Sequence, residues 1–121
     1  MTRDELGVAV IGCGRIGGLR ASLSSTHPGV SFLAISDREQ TQADILAQRT
    51  GADLVTTDNL AAITDDRVDA VFVSTPEHDH RESIVQALEA GKAVFVEKPI
   101  ALSLADADII IEAAERSGSE L

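Results

Sequence analysis

Four short apolar runs constrain this chain most: Val8-Ala9-Val10-Ile11, Phe32-Leu33-Ala34-Ile35, Ala70-Val71-Phe72-Val73 and Ala93-Val94-Phe95-Val96. They are continuous, not alternating. A strand with one face in water alternates apolar and polar residues, so an unbroken run marks a strand buried on both faces. That is the habit of a parallel sheet with helices on either side. Leu54-Val55-Thr56 is a shorter candidate strand. Helical patterns lie between the runs. Ile16, Leu19 and Leu23 share one face, closed by His27-Pro28-Gly29. Ala43, Leu46, Ala47 and Thr50 share another, with Gly51 at the C′ position. Ile84, Val85 and Leu88 form a third stripe, closed by Gly91. Ser103-Leu104-Ala105-Asp106 reads as a capping box that opens a last helix through Ile109, Ile110, Ala113 and Ala114 to Gly118. The order is β-α-β-α-β-(short helix)-β-α-β-α. Strands alternating with helices predict an α/β fold, a doubly wound parallel sheet in three α/β/α layers.

Composition limits the partners. The 121 residues suit one domain, read as spanning 1–121. Twenty acidic against ten basic side chains give a net charge of −10, and there are three Phe with no Tyr or Trp. Nucleic acid needs clustered Lys/Arg and stacking aromatics, so it is excluded as a partner. An anionic membrane surface is disfavoured for the same reason. No apolar run is long enough to span a bilayer. The segment Met1-Thr2-Arg3-Asp4-Glu5 lacks the apolar stretch of a signal peptide. The lone cysteine, Cys13, excludes an internal disulfide. A cytoplasmic location is the expectation.

Gly12-Cys13-Gly14-Arg15-Ile16-Gly17 fits G-x-G-x-x-G between the first run and the first helix. Gly12 makes the tight turn, Gly14 leaves room for a pyrophosphate, and Gly17 lets the helix pack close. The N–H groups of Arg15 and Ile16 at the positive helix end can bind the diphosphate, and Arg15 adds charge. Glycines are common in turns, so the loop alone is a weak signal; its context strengthens it. Asp37 follows Gly17 by 20 residues, at the end of the second run. A carboxylate there accepts hydrogen bonds from the adenosine ribose and repels a 2′-phosphate, which favours NAD over NADP. Arg38 leaves NADP open, because a guanidinium accepts that phosphate or stacks on adenine. The competing reading is a close-packed helix start without nucleotide. Cys13 reads as a small packing residue, with a reactive thiol as the alternative.

In a doubly wound sheet, ligands bind beyond the carboxyl ends of the strands. Ser74-Thr75-Pro76-Glu77-His78-Asp79-His80 and Glu97-Lys98-Pro99 both fall there. The one-residue gap between His78 and His80 points the imidazoles apart, so no metal site is assigned. Thr75 and Pro76 suit a turn that starts a helix, with His80 as a satisfied histidine at its first turn. Lys98 is the sharper candidate. A lysine after a buried strand can donate a proton or polarise a hydroxyl oxygen. The alternative is a solvated lysine paired with Glu97.

With these residues assembled, the chain resembles the Gfo/Idh/MocA oxidoreductases, the relatives of glucose–fructose oxidoreductase and inositol dehydrogenase. The resemblance runs from Val8 to Gly118 and is most specific over Ala87 to Pro99. It implies NAD(P)-dependent oxidation of a secondary alcohol on a sugar, inositol or related polyol. It also implies that Gly12, Gly14, Arg15, Ile16 and Gly17 bind diphosphate and that Asp37 and Arg38 face the ribose. Ser74, Thr75, Pro76, His80, Glu97, Lys98 and Pro99 would line the cofactor. Lys98 is the implied catalytic residue at the reacting hydroxyl, and Pro99 is often preceded by a cis peptide. Two departures stand out. Glu77 occupies a position often held by Asn. The family's C-terminal domain, which supplies an Asp-x-x-x-His acid/base pair, the substrate pocket and the oligomer face, has no counterpart after Lys98 in this sequence. The chain is therefore expected to bind dinucleotide without turning over, and to join a homo-oligomer only when full length. The alternatives are a non-enzymatic NAD(P)-binding sensor and a ligand-free α/β domain.

Overall fold

The computed structural model describes residues 5–121, with the side chain of Glu77 outside the described set. Of the segment read for a signal peptide, Met1 to Glu5, all but Glu5 lies outside the described residues. Five strands form one sheet: β1 (Leu6–Ile11), β2 (Val30–Ser36), β3 (Leu54–Thr56), β4 (Ala70–Val73) and β5 (Ala93–Val96). All pairings are parallel, in the order β3-β2-β1-β4-β5. The helices are α1 (Arg15–Thr26), α2 (Gln40–Thr50), α3 (Asn59–Ile63), α4 (His80–Glu89) and α5 (Leu104–Ser117), with a 3₁₀ turn at Glu77–Asp79 before α4. This is the doubly wound Rossmann arrangement expected from the alternating runs.

The continuous runs are explained by two cores, one on each face of the sheet. Val8 and Val10 of β1 pack with Leu33, Ile35, Ala43 and Leu46 on the side of α1 and α2. Ala9 and Ile11 point the other way, among Ile63, Val71, Val73, Ile84, Leu88 and Ile110. The helix ends follow their sequence signals. Gly51, Gly91 and Gly118 adopt positive φ at helix C-termini. Ser103 Oγ accepts the Asp106 N–H at 3.1 Å, as the capping box predicts. Asp58 caps α3 by accepting from the N–H groups of Leu60 and Ala61.

One stripe is turned around. Ile16, Leu19 and Leu23 of α1 face outward, and Leu23 is 63% exposed. The buried face of α1 is Gly17, Gly18, Ala21 and Ser24. The helix sits so close to the strand end that only small residues fit beneath it. An apolar stripe usually marks the buried face; here close approach overrides it. On the same side of the sheet Phe72 is half-buried against this core and Phe95 is exposed. The rings meet edge to face with centroids 5.5 Å apart. The Arg20 guanidinium lies over both, 5.4 and 4.4 Å from the centroids.

The turn into β4 is held by charge. Arg67 donates from its backbone N–H and its side chain to the Asp65 carboxylate at 2.9–3.0 Å. These hydrogen bonds hold the Asp65 carboxyl at about 2, below its ordinary 3.8. A carboxylate whose folded pKa is depressed stabilises the fold above its unfolded pKa, and that contribution is lost as pH falls from about 3.8 to about 2. Asp65→Asn should therefore lower the denaturation midpoint at neutral pH and make no difference near pH 2, a comparison that parallel urea titrations can read.

Candidate functional site

The strand order reverses between β1 and β4, and the site is built at the carboxyl ends of those two strands. Ser74 N–H donates to the Ile11 carbonyl at 2.7 Å, so the two strand ends leave the sheet together. Gly12 turns away with φ +99°. A Cβ there would sit 2.8 Å from the Ser74 carbonyl carbon and oxygen, so no side chain fits. A Cβ on Gly17 would lie 1.7 Å from the Gly12 carbonyl oxygen. Gly14 differs: its φ is −72° and a Cβ would meet nothing within 4 Å. The first and third glycines are demanded by the fold, whereas the second keeps open space in front of the loop. Gly14 is the N-cap of α1, with no side-chain cap and no acid in the first turn. The positive end of α1 therefore points at that space with no carboxylate of its own first turn to satisfy it.

Asp37, just past β2, ties the loop down. Its Oδ2 accepts the Cys13 N–H at 2.7 Å and its Oδ1 accepts the Glu39 N–H at 2.8 Å. Both oxygens keep a further lone pair for a ligand hydroxyl. The Arg38 guanidinium crosses the cleft to the Asp79 carboxylate at the start of α4. Burial, then the neighbouring Asp37 charge, pushes the Cys13 thiol up to about 12. At pH 8 about one thiol in ten thousand is then thiolate. Cys13 is a packing residue, and it should resist iodoacetamide at pH 8 in the folded chain while reacting in urea; mass spectrometry reads both outcomes.

These residues line a cleft of about 1190 Å³, with Gly12, Gly14, Arg15, Ile16 and Asp37 on one side and Ser74, Thr75 and Pro76 on another. Its size suits an extended ligand larger than the usual small-molecule site of roughly 300–1,000 Å³. A smaller cavity of about 350 Å³ adjoins it at Ile16, Ser74, Thr75 and Pro76, and is walled by His80, Glu97 and Lys98. Three buried polar atoms here have no hydrogen-bond partner: Ser74 Oγ, Thr75 Oγ1 and His80 Nδ1. Buried polar atoms are normally satisfied, and such a cluster beside a cavity fits a missing polar ligand. His80 opens α4, is buried, and holds Nε2 2.8 Å from the Thr75 carbonyl oxygen. It is satisfied at one nitrogen and open at the other. His78 is exposed and lies 3.5 Å from Asp79, so the two imidazoles do separate.

Of the residues implied to meet the cofactor, Glu97 and Lys98 wall the smaller cavity, whereas Gly17 and Pro99 line neither. Gly17 is buried and brings α1 close to the Gly12 turn, the packing expected of it. Pro99 lines neither cavity, although the Lys98–Pro99 peptide is cis as the resemblance implied. Glu97 pairs with Arg20 and not with Lys98. Lys98 is exposed on the wall of the smaller cavity, without an ion pair among the described residues. Sequence reasoning missed Thr57, Asn59, Arg81 and Asp106, which also wall the larger cleft. No spacing rule marks them, because the β3–α3 loop and α5 reach the cleft only through the fold.

The comparisons with known proteins agree with this geometry. A family model described as an oxidoreductase family with an NAD-binding Rossmann fold matches residues 6–121. The scyllo-inositol 2-dehydrogenase (NAD(+)) of Bacillus subtilis is 33% identical over 111 residues, covering 91% of this chain and 32% of that protein. GenD2 from gentamicin A biosynthesis, solved in complex with NAD, superposes with a TM-score of 0.87 at 38% identity, covering 96% of this chain and 33% of the other. KijD10, a 3-ketoreductase from Actinomadura kijaniata solved with TDP-benzene and NADP, gives 0.82 at 33% identity, covering 95% and 36%. The chain spans about a third of the length of the relatives it matches. Its strand order, its glycine loop at the switch point and its match over residues 6–121 make it the NAD-binding Rossmann domain of the Gfo/Idh/MocA oxidoreductase family.

Proposed function

We propose that this domain serves an NAD(P)-dependent oxidation of a secondary alcohol on an inositol, sugar or related polyol, with Lys98 as the catalytic residue it contributes. The observation that carries this reading is a lysine without an ion pair among the described residues, on the wall of the smaller cavity next to the unsatisfied Ser74, Thr75 and His80. With Glu97 held by Arg20, the Lys98 ammonium is left to a ligand oxygen. The cofactor supplies the hydride acceptor when bound. Gly14 with the N–H groups of Arg15 and Ile16 would hold its diphosphate, and Asp37 its adenosine ribose. Ser74, Thr75, Pro76 and His80 would flank the nicotinamide half. Lys98 Nζ donates a hydrogen bond to the substrate hydroxyl oxygen and stabilises negative charge as the proton leaves.

Residues that accept the hydroxyl proton and enclose the substrate belong, in this proposal, to a second domain. On this proposal the 121 residues by themselves bind nucleotide, and turnover needs the second domain. Homo-oligomers, a cytoplasmic location and a lack of nucleic-acid partners complete the reading. The net charge of −10 supports the last, and no described helix is long and apolar enough to cross a membrane. Calorimetric titration with NAD, NADP and their reduced forms tests the binding. Saturation below millimolar nucleotide is expected, and no heat from any of the four would sink the proposal. With the second domain present, inositols and sugars should yield reduced nicotinamide; a panel that yields none would refute the alcohol-oxidation reading.

A further inference from the structure

Asp79 occupies the N-cap of α4, where a carboxylate normally accepts the free N–H groups of the first turn. It makes no such bond. Its carboxylate is turned outward instead, onto the Arg38 guanidinium, with His78 3.5 Å away on the same oxygen. Arg38 belongs to the loop after β2, on the far side of the cleft, and follows the ribose-facing Asp37. Both partners line the larger cleft, so their ion pair crosses its mouth near Asp37.

The position of Arg38 has a chemical consequence. An arginine next to the ribose carboxylate is the usual acceptor of a 2′-phosphate. A phosphate entering here meets a guanidinium whose charge is already neutralised, with the carboxylates of Asp37, Glu39 and Asp79 around it. An uncharged 2′-hydroxyl loses nothing by that neutralisation and can donate a hydrogen bond to the Asp37 carboxylate. Relatives with this fold have been solved with NAD and with NADP, so the fold alone does not decide between them. Resting on the dinucleotide reading, we infer that Asp79 is a specificity-determining residue which, by engaging Arg38 across the cleft, disfavours the 2′-phosphate of NADP.

The test uses the 121-residue chain and two probe pairs: NAD with NADP, and ADP-ribose with 2′-phospho-ADP-ribose. Wild type should prefer the unphosphorylated member of each pair. Asp79→Asn removes the charge without removing a helix cap. It should tighten binding of both phosphorylated probes about tenfold while moving NAD and ADP-ribose by less than about threefold, as expected for release of a charge-assisted phosphate contact. Asp79→Glu should restore the wild-type ratio. The Arg38→Gln/Asp79→Asn pair should lose the gain, because the gain acts through the guanidinium. An unchanged ratio in Asp79→Asn, or a gain that survives in the double variant, overturns the inference. A wild-type chain that binds none of the four probes overturns the dinucleotide reading itself, a result distinct from an unchanged ratio.

Discussion

Gly17→Ala should cost this domain about 3–5 kcal/mol, a large part of the roughly 5–15 kcal/mol that holds such a domain together. The added methyl would lie 1.7 Å from the Gly12 carbonyl oxygen, a backbone atom that cannot swing aside as a side chain would. Gly12 is itself pinned between the Ser74 backbone and the start of α1. Relief therefore requires α1 to lift from the sheet, opening the core of Val8, Val10, Leu33 and Ala21 beneath it. A urea midpoint far below that of wild type, with loss of NAD binding, is the expected result. Gly14→Ala is the matched control. It meets nothing within 4 Å and needs no unusual φ, so it should cost no more than the roughly 1 kcal/mol of a poorer helix N-cap, far less than Gly17→Ala. Its methyl would still intrude on the space kept for the diphosphate, weakening NAD about tenfold, or 1.4 kcal/mol. Equal midpoints for Gly17→Ala and wild type would show that α1 does not need the close approach.

Lys98→Ala has the second large expected effect, on turnover and not on folding. Its side chain is exposed and has no ion pair among the described residues, so its loss opens no cavity and strands no buried partner there. The urea midpoint and the NAD affinity of the 121-residue chain should stay within about twofold of wild type, as for surface changes generally. In a polypeptide that carries both domains, kcat should fall about 10²–10⁴-fold, the range for losing an oxyanion donor or a general acid–base group. Lys98→Arg should recover little, because a planar guanidinium does not place one compact charge where the ammonium sits. Stopped-flow formation of reduced nicotinamide separates the cases. A variant with normal kcat would remove Lys98 from the chemistry and leave the nucleotide site intact.

Much of this site was legible because its residues follow one another along the chain. The glycine loop is a local motif, and each glycine's reason could be stated before the contacts were known. Asp37 was found by its distance from that loop and by the strand it ends. Ser74, Thr75 and Pro76 were found because parallel strands bring their carboxyl ends to one edge. Arg38 was legible as a candidate but not as a pair, since Asp79 is 41 positions away and no periodicity links them. The outward turn of Ile16, Leu19 and Leu23 was not legible for a related reason. A stripe records which residues share a face, and only the approach of α1 to Gly12 decides which face is buried.

By itself the sequence determined the strand and helix order, the parallel sheet and the position of the glycine loop. It did so because unbroken apolar runs, helix caps and glycines act within a few residues of where they stand. Only the tertiary structure decided how charges and polar atoms were matched. It gave Glu97 to Arg20, set Lys98 on the wall of the smaller cavity, turned Asp79 onto Arg38 and buried His80 with one nitrogen unsatisfied. Those pairings depend on distances between strand ends that meet at the switch point of the sheet, and such distances exist only once the chain has folded.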